Sequence, residues 1–282
     1  MERTGADPSS ESKTRILLAC SDCGAEYDGK GTFAIEAFTR TQRPHRCFDC
    51  REKQQRFEEH QRSENQVKRL GYERGRWLDQ SGIPWYYRAK GFSEFESQGN
   101  EVRLAAIQAY AENFPVDRRP EGHRSLLITG RNNGIGKTHL ACAVLSTIVQ
   151  RFAKLDWETI PYRFWTAGQV KRRIQDAQRF SNKENLDQVT KDLASVWLLV
   201  LDDVGKERLV GADIAAVYEA YYGIINDRYN AGLPIVITSN LSLSPWEPGG
   251  ISLEHVIGWA GCSRLREMTG GLEYEIAGPD RR

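Results

Sequence analysis

From about residue 81 onward, short apolar runs alternate with longer stretches of helical period. The runs Leu126-Leu-Ile-Thr129, led by Ser125, Tyr162-Arg-Phe-Trp165, Val196 to Leu201, Pro234 to Thr238 and Leu272 to Ala277 are rich in branched and aromatic side chains, the composition of strands. Between them, Leu140, Val144, Leu145, Ile148, Val149 and Phe152 recur three and four apart, and Val170, Ile174 and Ala177 do the same, which predicts helices with one buried face. Further helices are predicted at about 101–114 and 212–229, and over a segment carrying Leu253, Val256, Ile257 and Leu265 that stops at Gly270-Gly271. Strands alternating with helices predict an α/β fold with a parallel sheet. The unbroken apolar run Val196 to Leu201 reads as a strand covered on both faces.

The first 80 residues follow a different pattern. Residues 1–13 are polar and are expected to form a disordered tail. Residues 14–52 hold few apolar positions apart from a strand-like run at Tyr27 and Thr32 to Ile35, with a Gly-Lys-Gly turn at Gly29 to Gly31. Residues 53–80 are rich in Glu, Gln, Arg and Lys with a sparse apolar stripe, predicting a helical linker with a possible break near Gly71. Gly82-Ile-Pro84 punctuates the start of a new unit, residues 81–282. Over 282 residues the net charge is +1, so contact with nucleic acid would have to come from a local patch. No apolar run is long enough to span a bilayer. No secretory leader is evident in the first residues. The expected location is the cytoplasm, and there the six cysteines should be reduced or metal-bound.

The stretch with the clearest chemistry is Gly130-Arg-Asn-Asn133-Gly134-Ile135-Gly136-Lys137-Thr138-His139. A strand precedes it and a helix follows, as in a phosphate-binding loop. Glycines let backbone N–H groups approach an anion, and the helix N-terminus adds its partial positive charge. Backbone and side chains from Asn133 to His139 are the candidate nucleotide contacts. Lys137 would reach the β- and γ-phosphates, and the Thr138 hydroxyl would bind Mg²⁺. The glycine that closes the strand, Gly130, stands one residue earlier than the usual spacing, and Arg131 takes its place. We expect the extra residue to be absorbed as a bulge at Arg131 to Asn133, with Gly134 to Thr138 in normal geometry. The apolar strand ending in Asp202-Asp203 puts two carboxylates where open α/β sheets bind ligands. Asp202 would complete the Mg²⁺ shell and Asp203 would orient or activate the attacking water. Asn240, at the end of another strand, could orient that water through its amide. Lys171, Arg172, Arg173, Lys206 and Arg208 are candidate DNA contacts by charge alone; for Lys171 to Arg173 an ordinary solvated helix face is the stronger reading.

Cys20-Ser-Asp-Cys23 and Cys47-Phe-Asp-Cys50 are two C-x-x-C pairs, the pattern of a tetrahedral structural zinc site. The alternatives are two redox dithiols or buried free thiols. So small a module has little core of its own, which favours zinc; His45 is a bystander beside four thiols.

Taken together these motifs resemble the DnaC-type helicase loaders and their IstB-like relatives within the AAA+ ATPases. The residues that carry the resemblance are Gly82-Ile-Pro84, Gly134 to Ala141, Leu198 to Gly205, Asp227-Arg-Tyr229, Ile237 to Leu241, Ser263-Arg-Leu265 and Gly278 to Arg282. The resemblance implies an AAA+ P-loop NTPase core with a parallel sheet of strand order 5-1-4-3-2 and little or no helical lid. A small zinc-ribbon-like module and a connecting helix would precede it. It also implies that Asn240 is the sensor-one residue, that Arg264 inserts into a neighbouring subunit's ATP site, and that Arg282 or Arg281 is the sensor-two arginine. The second acidic residue is Asp203, where many relatives carry Glu, so slow hydrolysis is expected.

The implied function is ATP-dependent loading of a replicative helicase hexamer onto single-stranded DNA. ATP, Mg²⁺ and Zn²⁺ would be cofactors, and the ATP-bound protein would be a homo-oligomer. The alternatives are an IstB-like transposition helper ATPase and a zinc-dependent adaptor with a vestigial ATPase.

Overall fold

The computed structural model describes residues 17–28, 46–151, 161–179, 183–206 and 213–280. The expected tail at 1–13, the turn and strand-like run at 29–35, His45, Arg208, Arg281 and Arg282 lie outside these. The chain divides into two compact units, Met1–Arg69 and Leu70–Arg282.

In the first unit, β1 (Leu17–Ala19) and β2 (Glu26–Asp28) pair antiparallel, with Leu18 opposite Tyr27. The connecting turn is closed by the Cys20 N–H on the Ala25 carbonyl at 3.0 Å and the Gly24 N–H on the Cys20 carbonyl at 2.9 Å. Helix α1 (Phe48–Gln80) is continuous through Gly71. It starts early enough to carry Cys50 in its first turn, and its single buried residue is Trp77.

The second unit is a five-stranded parallel sheet between helices. Its elements are α2 (Glu101–Glu112), β3 (Leu126–Thr129), α3 (Lys137–Arg151), β4 (Tyr162–Thr166), α4 (Ala167–Arg179), α5 (Lys183–Ser195), β5 (Leu198–Val204), α6 (Asp213–Asn230), β6 (Ile235–Ser239), α7 (Glu254–Thr269) and β7 (Glu273–Glu275). The strands lie in the order β4-β5-β6-β3-β7. Counted within the sheet, this is 5-1-4-3-2, the order expected. The helix α5 has no counterpart in the sequence reading. Strand side chains alternate between faces. Leu126, Ile128, Leu198, Val200 and Val236 join one apolar cluster with α2 and α3. Leu127, Leu199, Leu201, Ile235 and Ile237 join a second with α4 to α7. Helix α3 lies under the sheet and is buried almost all round, including Ala141, Cys142 and Ala143.

The Gly82-Ile-Pro84 segment is tied to the outer edge of this sheet. The Phe164 N–H donates to the Ser81 carbonyl at 2.6 Å. Gly82 has φ of 92°, and a Cβ there would stand 2.2 Å from the Phe164 carbonyl oxygen, so only glycine fits. Arg228 closes the opposite end of the sheet. It is fully buried. Its guanidinium donates to the carbonyls of Leu193 (2.9 Å), Ala194 (3.2 Å), Val196 (2.8 Å), Trp197 (3.2 Å) and Pro234. One side chain thus satisfies the end of α5 and the entries to β5 and β6. Burial pushes its pKa down to about 9.

Candidate nucleotide site and cysteine cluster

The phosphate loop connects the C-terminal end of β3 to the N-terminus of α3. Gly134 and Gly136 have φ of 72° and 96°, the left-handed conformation that glycine adopts without steric cost. The Ile135 side chain between them is buried in the core, so only its backbone faces the loop. Lys137 is 5% exposed. Its ammonium donates to the carbonyls of Gly130 at 3.1 Å and Asn132 at 2.8 Å, so the loop is wrapped around the lysine. The side chains of Arg131 to Asn133, ahead of the two glycines, are exposed.

Opposite the loop, β5 ends in a bulge. The ladder with β6 gains a residue between Leu201 and Val204, and Asp203 adopts φ of 61°. Aspartate tolerates this conformation better than most residues, and such bulges re-aim side chains. Asp202 turns inward. Its Oδ2 accepts from the Thr138 hydroxyl at 3.0 Å and its Oδ1 from the Thr238 hydroxyl at 2.6 Å. Burial pushes its pKa up to about 6, against the opposing effect of those hydroxyls. Asp203 faces outward, its N–H on the Thr238 hydroxyl at 2.9 Å and its Oδ2 paired with Lys206 at 2.8 Å. Lys206, a candidate DNA contact by charge, thus sits on the second carboxylate. Asn240 follows β6, and its Nδ2 donates to Asn133 Oδ1 at 3.0 Å.

The loop and the two carboxylates share a cavity of about 500 Å³, which Asn133 also lines; Asn240 is not among the lining residues and meets the cavity only through Asn133. Lys137, Thr138, His139, Asp202 and Asp203 line it, facing Tyr86, Tyr87, Lys90 and Phe95. His139 bonds the Gly91 carbonyl at 2.8 Å and packs edge-on to Phe95, with centroids 5.7 Å apart. The Lys90 ammonium lies 3.6 Å from the Tyr86 ring centroid. The sequence reading missed this wall at 86–96; Tyr86-Tyr87 beside a glycine–proline turn is the one local signal for it. The cavity therefore joins an anion-binding loop and a carboxylate pair to aromatic surface suited to a planar base.

Residues 121–249 match the family model described as IstB-like ATP binding protein. This segment is an IstB-like ATP-binding domain. Its sheet order and phosphate loop are those of a P-loop α/β fold. Similar solved structures include the DnaC helicase loader, with 24% identity, 68% of this chain and 98% of that chain covered, and a TM-score of 0.49. DnaI shares 18% identity, with 71% and 94% covered and a TM-score of 0.48. Domain III of the Thermotoga maritima replication initiation protein DnaA shares 20% identity, with 70% of each chain covered and a TM-score of 0.48. No match was found among curated protein sequences.

Arg264 does not line the cavity of its own chain. It lies on α7, its guanidinium 5.2 Å from the Tyr222 ring centroid and 5.8 Å from that of Tyr229. Downstream of β7, Asn100 clamps the chain, its amide bonding the Ala277 carbonyl at 2.7 Å and the Ala277 N–H at 3.1 Å. Arg172 and Arg173 on α4 are exposed. No helix among the described residues is long and apolar enough to cross a membrane.

In the first unit, the sulfurs of Cys20, Cys23, Cys47 and Cys50 all lie within 4.8 Å of one another. Cys23 Sγ and Cys47 Sγ are 3.8 Å apart. A tetrahedral zinc with bonds of about 2.3 Å needs sulfurs roughly 3.8 Å apart, so the cluster fits that ion. The thiols respond to their crowding in opposite directions. Cys20 is drawn down to about 6, first by the backbone at Cys47. Cys50 is pushed up to about 12, first by the Cys47 sulfur. A divalent cation would resolve this conflict by stabilising all four thiolates.

Proposed function

We propose that this chain is an ATPase that loads a replicative helicase onto single-stranded DNA. The observation that carries the ATPase reading is the convergence of Lys137, the Thr138–Asp202 hydrogen bond and Asp203 on one cavity in an IstB-like ATP-binding domain. Thr138 and Asp202 would hold Mg²⁺, which offsets charge on the phosphates when bound. Lys137 leaves its two carbonyls for the β- and γ-phosphates. Water attacks the γ-phosphorus, Asp203 takes its proton, and the bridging bond breaks with its electron pair staying on ADP. Lys206 must release Asp203 for that step, which fits a slow enzyme used as a switch. Asn240 must likewise leave Asn133 to orient the water. Arg264 completes the site of a neighbouring copy, so the active form is an oligomer. The zinc-bound cysteine module grips the helicase, as the resemblance to DnaC-type loaders implies.

The site assignment is tested with Lys137→Ala. It should lower ATP turnover by about a hundredfold or more; normal ATP binding and hydrolysis by this variant would reject the site. The IstB-like match itself favours a second reading, a transposition helper ATPase. Co-purification with the replicative helicase, in ATP and in ADP, separates the two. A complex that depends on the nucleotide supports loading, and its absence supports the helper.

A further inference from the structure

Arg131 extends away from the cradle to the loop that follows β6. Its guanidinium lies 5.0 Å from the Trp246 ring centroid and donates to Glu247 Oε1 at 3.3 Å. Trp246 Nε1 in turn donates to the Asn240 carbonyl at 3.2 Å. Asn240 closes the circuit through its amide on Asn133, two residues beyond Arg131. The circuit leaves Asn240 Oδ1 buried and without a partner among the described residues.

A loop of ordinary length has one residue fewer between Gly130 and Gly136 with which to reach both Trp246 and Asn240. The contacts are individually weak, being an exposed ion pair, a cation–π contact and two neutral hydrogen bonds. Linked in a ring they order one another, because each side chain fixed by one contact loses less freedom in making the next. Such a ring can set the position of an amide and still open.

We propose that the extra residue makes the phosphate loop a clasp on the 240–250 segment. Asn133, Arg131 and Trp246 are positioning residues that hold the Asn240 amide beside the cavity, on the cavity-lining Asn133, and nucleotide binding is thereby transmitted to that segment. This rests on the ATPase reading above. Asn133 is itself part of the loop and lines the cavity, so its grip on Asn240 follows the state of the loop.

The test uses the full chain with Trp246→Phe, which keeps the ring and removes the N–H, Arg131→Ala, Arg131→Lys and the double variant Arg131→Ala/Trp246→Phe. Turnover at saturating ATP, KM, and the Kd of a fluorescent ATP analogue are measured separately. Trp246→Phe should lower kcat about fivefold to tenfold and Arg131→Ala about threefold, with KM and Kd within about twofold of wild type. Arg131→Lys should recover most of the loss, and the double variant should be no worse than Trp246→Phe. Wild-type kcat in Trp246→Phe would overturn the proposal, as would a Kd that weakens in step with kcat or single effects that multiply. A second arm needs no nucleotide. The emission of Trp246, taken as the difference from Trp246→Phe, should change in Arg131→Ala and be restored in Arg131→Lys; no change would reject the clasp. If wild type fails to bind ATP, the ATPase reading falls, and this emission arm still decides whether the ring exists.

Discussion

Among the described residues of the first unit, only Cys20 and Cys47 are buried. The second unit encloses two apolar clusters, one on each face of a five-stranded sheet. Hydrophobic burial, at about 25 cal/mol per Å² of apolar surface, can sustain the second and has little to act on in the first. There, two short strands and a helix start are brought together by four sulfurs. With zinc on those sulfurs, the first unit would depend on a few strong ligand bonds, whereas the second depends on many weak contacts. Loss of one ligand should abolish order in the first, whereas the second should lose stability in steps set by the group removed.

The largest expected effect is on the cysteine cluster. Chelation, or Cys47→Ser, should remove one zinc per chain and open the first unit to protease, because the binding free energy of a structural zinc is on the order of 10 kcal/mol. The second unit has its own core and should keep its thermal transition. Zinc analysis combined with limited proteolysis checks this. A metal-free chain whose first unit stays protected would show that burial there has been underestimated.

A smaller effect is expected at Arg228. Replacing it by Leu removes the cost of a buried charge but leaves five carbonyls without their donor. Unmade hydrogen bonds at about 1–3 kcal/mol each outweigh that relief. We expect a net loss of about 3 kcal/mol, or roughly 10 °C in the transition of the second unit. Arg228→Lys keeps the charge with fewer donors and should lie between. If Lys matched wild type, the charge alone would matter and the fork of donors would not.

The parts of the candidate nucleotide site that are contiguous in sequence are legible there. Gly134, Gly136, Lys137 and Thr138 carry the loop's conformational needs and its chemistry within five positions, and the apolar strands fixed the sheet. The parts that depend on distant pairing are not. Nothing local marks the bulge that sends Asp202 inward and Asp203 outward, since it exists only relative to β6. The wall at Tyr86 to Phe95 reaches the cavity through the anchoring of Ser81 on Phe164. Arg131 reads in the sequence as an irregular spacing, because its partner Trp246 is over a hundred residues away. Helix α5 has Leu186, Val189 and Leu193 three and four apart, a signal diluted by charged neighbours. The cysteine pairs were legible because ligand spacing is itself a local constraint.

The smallest effect concerns a cost that the second unit bears at its own site. Asp202 is 3% exposed, and burial raises its pKa from an ordinary 3.8 to about 6. The folded state thus holds that proton more tightly than the unfolded state. Stability from this group is present at low pH, falls as pH rises from about 4 to 6, and stays at its lower value above that. A shift of about two units corresponds to roughly 2–3 kcal/mol. Asp202→Asn cannot ionise, so without nucleotide it should be the more stable protein at pH 7 by about 2 kcal/mol. Because amide and acid differ in hydrogen bonding, a constant offset is expected at every pH, and the readout is the change in the difference between pH 4 and 7. Denaturant titrations across that range measure it. Added Mg²⁺ and ATP should then stabilise wild type more than the variant, which keeps the phosphate loop but lacks one magnesium ligand. A difference that does not vary with pH would mean that Asp202 is already charged at little cost, and that the core beside the phosphate loop is wetter than its burial implies.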